Sequence, residues 1–436
     1  MKYGFTKNFF MYSLMAIAVL LLPVFIYPQQ AAAPDYRADF NAGNYVKAVE
    51  KINKILEDYY SKRVDNKRVP IPYISMKAAA KTVDLKMLFR NRRAEHFFIE
   101  DNPEISGLHV YAARCYFKLA NLDYSLNHYI QALRYKKVEE KKDDVLYYEM
   151  AQVFLKGKFF NAYVNYLEAA SALNRDNYSY SLELGRALYR TDKKKTAIFH
   201  LERYINAHEE SASPELYLML GNLYEDIAKY LETEKCYIKY LEKKPDDGYI
   251  HFALGHIQYL RTGNYPRAIK SLDRALQLLP EKEFFRRSKA YEYKADIIFQ
   301  ELDFESAVQN YSETIRYQNA VADTIKNKQA EIESLTAAIR ELKASLLRVE
   351  DFEKYEQYEN LLDKKGKRET ELKQMKSEYD KLNAGKVRWN IAYSLERLEK
   401  LNDAIGYYRQ CIAFDYNANQ ARKKIINLEL KIKRGY

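Results

Sequence analysis

Among the side chains able to do chemistry, Arg186, Tyr189 and Arg190 stand out. Two guanidinium groups four residues apart share one face of a helix, and Tyr189 sets a ring and a hydroxyl beside them. Such a trio recognises and does not transform: guanidinium forks grip carboxylates, and an aromatic face takes a cation or stacks. The patterns that catalysis needs are missing. The chain has no GxGxxG or P-loop phosphate cradle, no HExxH and no GxSxG. His251 and His256 are five apart, off a shared helical face, and the carboxylates sit among lysines on polar faces. Cys115, Cys236 and Cys411 are far apart and form no CxxC, which argues for inert buried thiols over a zinc or disulfide framework. The expectation is a non-enzymatic binding protein without metal or cofactor.

The elements that position these residues follow from composition. The chain has 436 residues, a net charge of +11 and 41 Tyr against 13 Gly and 10 Pro. So few turn formers exclude a sandwich, a barrel or a Gly-rich nucleotide fold and favour long helices. The positive charge is spread through helices, so it reads as a solvated Lys-rich surface and not as a nucleic-acid site. At the start, Lys2 and Lys7 precede an apolar run from Phe9 to Tyr27, followed by Ala31-Ala32-Ala33-Pro34. That is the order of an export signal. Pro34 spoils the neatest cleavage site and the run approaches the roughly 20 residues of a bilayer span, so residues 1–33 are either a cleaved signal peptide or an N-terminal anchor. In both cases the rest lies in the periplasm or on the outer face of the inner membrane, and the membrane is touched only through this segment if it is uncleaved.

One pattern then recurs. Aligning the small residue at the centre of a helix gives Ala113, Ala151, Gly185, Gly221, Gly255, Ala295 and Ala392, at spacings of 38, 34, 36, 34, 40 and 97 residues. In the clearest copy, Tyr217, Leu220-Gly221, Tyr224, Tyr237 and Pro245 fall at aromatic, Leu-Gly, Tyr, aromatic and Pro positions. A partial copy, Gly43-Asn44-Tyr45-Val46-Lys47-Ala48, precedes them. This step and signature resemble the tetratricopeptide repeat (TPR) family over most of the chain beyond the export segment. The resemblance implies an all-α superhelical solenoid of stacked helix pairs that presents a protein-binding inner face. Ser125 and Thr233 stand where that family has a small alanine in the second helix, and looser packing is expected there.

Between residues 319 and 386 the repeat phase is lost. Ile325, Ile332, Ile339 and Leu346 recur every seven residues, with Leu335 and Leu342 completing an a/d seam. A second seam runs through Leu372, Met375, Tyr379 and Leu382, and basic and acidic residues are equal at 14 each. Because the chain must return to begin a last copy at Val387, the segment is expected to be an antiparallel coiled-coil hairpin reversing near Phe352. It would project roughly 45 Å, either as a self-contained spacer or as an element that contacts a partner or a second copy of the chain. The organisation is therefore 1–33 signal or anchor; 34–104 a partial repeat and a linker helix, Met76 to Ile99; 105–318 the solenoid; 319–386 the hairpin; and 387–436 a last repeat with a capping helix.

The family resemblance also implies which residues line the inner face. Successive copies place Arg114, Gln152, Arg186, Asn222, His256 and Asp296 at one such position and Lys118, Lys156, Arg190, Asp226, Leu260 and Gln300 at another, with Tyr189 beside Arg190. The expected binding groove is Arg114, Lys118, Gln152, Lys156, Arg186, Tyr189, Arg190 and Asn222, suited to an extended acidic or aromatic segment. The carboxylate clamp of chaperone-tail TPR domains is not matched beyond Asn222. The Tyr- and Lys-rich style, with Leu88-Phe89-Arg90-Asn91-Arg92-Arg93-Ala94-Glu95 and Phe97 to Pro103, is similar to spirochaetal periplasmic TPR proteins of the flagellar collar. That implies a scaffold in a multi-subunit envelope complex. The alternative is a periplasmic chaperone or substrate receptor for outer-membrane assembly or secretion.

Overall fold

The computed structural model describes residues 36–62, 74–81, 101–136, 143–346 and 352–435. The export segment 1–33 lies outside them, as does the expected linker helix beyond residue 81, of which only Met76–Ala79 is described as helix. Every regular element among the described residues is a helix. They form two compact units dividing after Tyr180.

In the first unit α1 (Tyr36–Asn41) and α2 (Tyr45–Ser61) precede the short α3 (Met76–Ala79). The pairs α4 (Pro103–Lys118) with α5 (Leu122–Arg134) and α6 (Asp144–Lys156) with α7 (Phe160–Leu173) follow. Starts are set by local chemistry: the Asn102 side chain accepts from the Ile105 amide at 3.2 Å and Asp143 from the Leu146 amide at 3.0 Å, capping donors that the first turn leaves unpaired. Pro103 sits in the first turn of α4, where its missing N–H costs nothing. The partial copy buries Ala48, Ile52 and Leu56 of α2 against Ile105, Leu108 and Ala112 of α4.

Helix α8 (Tyr178–Leu188) carries the boundary between the units. The second unit continues with α9 (Lys194–Ala207), α10 (Pro214–Asp226), α11 (Tyr230–Lys243), α12 (Gly248–Leu260), α13 (Tyr265–Leu278), α14 (Phe284–Gln300) and α15 (Phe304–Leu346). It closes with α16 (Phe352–Tyr379), α17 (Ala384–Arg397), α18 (Leu401–Ala413) and α19 (Ala418–Lys433). The small residues do what their spacing suggests. A Cβ added to Gly221 would lie 2.7 Å from a Tyr237 ring carbon, and one on Gly255 2.7 Å from Leu272 Cγ, so first and second helices approach to a distance that only a missing side chain allows. Ala113, Ala151, Ala295 and Ala392 hold the same place with no exposed surface.

The looser packing expected at Ser125 and Thr233 is absent. Both are fully buried, because each hydroxyl donates to a backbone carbonyl, Ser125 to Ala113 at 2.8 Å and Thr233 to Lys229 at 3.0 Å. The turns inside the pairs were not legible. Ala120, Lys158, Ala228, Leu302 and Glu399 all take left-handed backbone conformations, with φ between 59° and 64°, at a step where glycine would be the easier residue.

The hairpin is an outgrowth of a repeat. α15 serves as second helix of its pair, burying Ala307, Tyr311 and Thr314, and then passes through residue 319 without a break. α16 returns antiparallel: Lys328 pairs with Glu371 at 2.5 Å and Arg368 with Glu331 at 3.1 Å. Of the seam residues, Leu335 is buried, while Ile325, Ile332, Ile339, Leu342 and Leu346 are half-buried. Gly366 lies inside α16 and makes no turn.

Across the insertion the solenoid resumes through one carboxylate. Asp296 of α14, 6% exposed, accepts from Tyr259 at 3.0 Å, from Tyr311 at 2.5 Å and from Lys386 at 2.7 Å. Asn390 donates to Tyr311 at 2.8 Å. Four helices, α12, α14, α15 and α17, thereby meet at one residue. The same joint is apolar around it, with Ala295, Ala307, Tyr311, Val387 and Ile391 in one cluster.

Two outcomes follow from this architecture. Replacing residues 325 to 378 by a short Gly/Ser linker, which keeps the buried Val321 and Leu382, leaves the remaining helices folded by circular dichroism with a single unfolding transition; loss of that transition would make the arm part of the core. Asp296→Ala leaves the Lys386 ammonium and the two tyrosine hydroxyls without their acceptor and lowers stability by about 2–3 kcal/mol in denaturant titration. A loss below about 0.5 kcal/mol, the size of an ordinary surface change, would show that the apolar cluster alone holds the joint.

Candidate protein-binding face

In the second unit the first helices bring the expected recognition residues to one face. Arg186 and Arg190 are exposed on the last turns of α8 and just beyond it, and Tyr189 is half-buried between them. The phenol is held from behind. Asn222 of α10 donates to the Tyr189 hydroxyl at 2.9 Å, and its carbonyl oxygen accepts from Tyr237 at 2.8 Å. Tyr237 also reaches Glu225 at 2.8 Å. Asn222 therefore positions a ring, where the sequence had it facing a ligand. Further along, His256 stacks on Tyr293 at 5.4 Å and 11°, and Tyr259 lies 5.3 Å from the same ring. Tyr259 and Tyr293 were not singled out from sequence, because a tyrosine at helical spacing in so Tyr-rich a chain gives no separate signal.

The other four expected residues lie in the first unit. Arg114 is engaged within it, holding Glu149 at 2.7 Å through Nη2 and 2.9 Å through Nε. Burial raises the Glu149 carboxyl above its ordinary range, against the pull of Arg114. Gln152 is half-buried, and Lys118 and Lys156 are exposed. Lys156 caps the preceding pair, 2.9 Å from the Phe117 carbonyl and 4.5 Å from its ring centre.

Reactive groups are masked by burial. Cys115 and Cys411 are pushed up to about 11 and Cys236 to about 12, so each thiol stays protonated at neutral pH. Among the described residues no cluster of three His, Cys, Asp or Glu is placed to hold a metal, and no helix is long and apolar enough to cross a membrane.

No family model matches the chain, and no curated protein does. Solved structures similar to it include the C-terminal part of a TPR repeat-containing protein from Cytophaga hutchinsonii, at 15% identity over 65% of this chain and 93% of that one, with a TM-score of 0.36. YrrB, described as a TPR protein with an unusual peptide-binding site, gives 15%, 44%, 92% and 0.34 in the same order. MamA from Desulfovibrio magneticus gives 18%, 40%, 95% and 0.31. The fold is of the tetratricopeptide type. The helix pairs themselves carry that statement, through their step, their small-residue contacts and their stacking.

The first unit also buries a titratable chain. His109 and His128 meet Nδ1 to Nδ1 at 2.9 Å, and His109 Nε2 lies 2.9 Å from the Tyr60 hydroxyl. Tyr135 donates to that hydroxyl at 3.2 Å. These three contacts are satisfied together when Tyr60 donates to His109 Nε2 and His109 Nδ1–H donates to His128 Nδ1, which leaves both rings neutral. Burial pulls His128 down to about 4 and His109 well below the ordinary imidazole range, with the neighbouring His128 and then Arg134 adding to the second shift.

In the unfolded chain these rings take protons near pH 6.5. Below that pH the unfolded state binds more protons than the folded one, so stability is full above about pH 6.5 and falls toward pH 4. The loss is about 1–3 kcal/mol, read as a lower unfolding midpoint at pH 5 than at pH 7.5 and as faster amide exchange in α4 and α5. His128→Phe keeps a ring on Tyr116 but takes no proton; it lowers the midpoint at pH 7.5 and narrows the gap between the two pH values. An unchanged gap would locate the acid sensitivity elsewhere.

Proposed function

We propose that this chain is a non-enzymatic TPR scaffold whose second unit holds an extended, acidic segment of a partner protein on the face formed by Arg186, Tyr189 and Arg190. The observation that carries the reading is the fixation of Tyr189 by Asn222, 2.9 Å away. A phenol ring anchored by a half-buried amide, with two exposed arginines on the same helix end, is pre-organised, so little side-chain entropy is lost when a carboxylate-bearing strand lies across it. The export signal read from residues 1–33 supports a partner in the periplasm or at the outer face of the inner membrane. Within that compartment we propose an envelope assembly, with the spirochaetal flagellar collar as the narrower reading that the sequence resemblance supports. A stable co-purifying complex is the expected behaviour of such a scaffold; transient binding of many extended clients would instead favour the chaperone or receptor reading.

Reversing both Arg186 and Arg190 to Glu replaces attraction by repulsion at the ring. Capture of partners from solubilised envelopes, and binding of a labelled extended peptide of alternating Asp and Phe, should weaken about 100-fold, in line with the several kcal/mol that like-charge contacts cost. The unfolding midpoint should barely change, because both side chains are exposed. The matched control reverses Lys195 and Lys235, exposed on the second helices α9 and α11. Equal loss in both variants would assign the binding to general positive charge and overturn this site.

A further inference from the structure

The hairpin leaves its seam incompletely covered. α16 has no fully buried residue, and on one side the two helices form an open trough floored by Ile332 and Leu372. Charge in the middle of that trough is segregated. Glu333 and Glu369 lie toward the tip, and Lys373 and Lys376 toward the base, all four exposed; nearer the solenoid Asp380 and Lys381 add one charge of each sign.

The pair Lys328–Glu371, at 2.5 Å, fixes which levels of the two helices match. Residue 371 is midway between Glu369 and Lys373 on α16. Glu333 lies as far from Lys328 toward the tip as Lys376 lies from Glu371 toward the base. One level is thus the centre of both charge pairs, which is the condition a two-fold interface imposes: each acidic group must find its basic counterpart at the mirrored height.

We propose that two copies of this chain associate through this side of the hairpin, antiparallel, about a two-fold axis at the level of Lys328 and Glu371. Glu369 of each copy then faces Lys373 of the other, Glu333 reaches Lys376 diagonally, and Ile332 and Leu372 close on their counterparts at the centre. A parallel arrangement is disfavoured because it sets acidic end on acidic end. A foreign partner would have to reproduce this pattern by its own sequence, whereas a second copy carries it already. The interface is separate from the Arg186–Arg190 face and does not depend on the reading of that face.

The test is a charge swap in the full chain. Sedimentation velocity of the native chain across a concentration series should show a reversible monomer–dimer equilibrium. K373E/K376E makes the four central charges all acidic and E333K/E369K makes them all basic; each alone should raise the dimer dissociation constant about 100-fold, with the helical circular dichroism unchanged. Mixing the two should restore dimers, because every reversed residue then meets its complement. In a Gln329→Cys variant, the new thiol lies beside the axis and should cross-link two chains under mild oxidation, since Cys115, Cys236 and Cys411 are buried. A native chain that stays monomeric at about 100 μM, reversed chains that dimerise as before, or a mixture that fails to reassociate would each overturn the proposal.

Discussion

The fold rests on how closely the two helices of a pair can approach. At Gly221 and Gly255 there is no room for a methyl group, and Ala113, Ala151, Ala295 and Ala392 stand at the same position with no exposed surface. Contact at that distance lets the large residues on either side, such as Leu220, Tyr224 and Tyr237, become buried. No helix here could bury its apolar stripe alone, so each pair depends on the one before it, and stability is distributed as a chain of neighbour contacts. The same dependence explains why Ser125 and Thr233 are tolerated. A hydroxyl is hardly larger than a methyl, and a carbonyl one turn away or on the facing helix satisfies it.

A neighbour-to-neighbour fold is vulnerable wherever the neighbour is postponed. Between Ala295 and Ala392 the chain leaves for the hairpin and comes back, and the last pair must still find the right surface. Burying a carboxylate without partners would be prohibitive, but Asp296 has donors from Tyr259, Tyr311 and Lys386. These come from both sides of the insertion, so the carboxylate is satisfied only when α17 is docked in register. A polar hub of this kind adds specificity to an apolar joint that by itself would tolerate sliding.

Much of this was legible in the sequence, and the limits have physical causes. The repeat could be read because small residues at a fixed step are a direct imprint of helix contact. The hairpin could be read because a seam of Ile and Leu every seven residues leaves no other economical fold. What could not be read were partners. Asp296 appeared only as one more polar residue on an inner face, since nothing in the chain says that Lys386, 90 residues away, will meet it. Asn222 was placed on the right face, but its amide is spent on Tyr189 and Tyr237. Arg114 was expected to face a ligand and is engaged by Glu149. In each case the residue's position followed from periodicity, and its occupation depended on side chains that periodicity does not rank. The left-handed turns at Ala120 and Ala228 were invisible for a different reason: the close packing on both sides enforces a backbone that the residue itself does not favour.

The continuity of α15 gives the arm a mechanical character that an insertion at a loop would lack. Because the second helix of a pair simply continues, the arm has no joint at its base, and its direction is inherited from the packing of α14 against α15. The stretch from residue 319 to the end of α15 extends it by about 42 Å at 1.5 Å per residue. Its return helix carries Lys365 and Arg368 at half-buried positions, in the same heptad phase as Leu361, Leu372 and Met375. These charges weaken the seam, but they fix its register. Arg368 is paired with Glu331 and Lys328 with Glu371, so sliding α16 by one heptad would break both ion pairs while leaving apolar residues equally well covered. The arm is therefore held to one length and one direction by its polar residues, and a surface on its side is presented at a fixed distance from the solenoid.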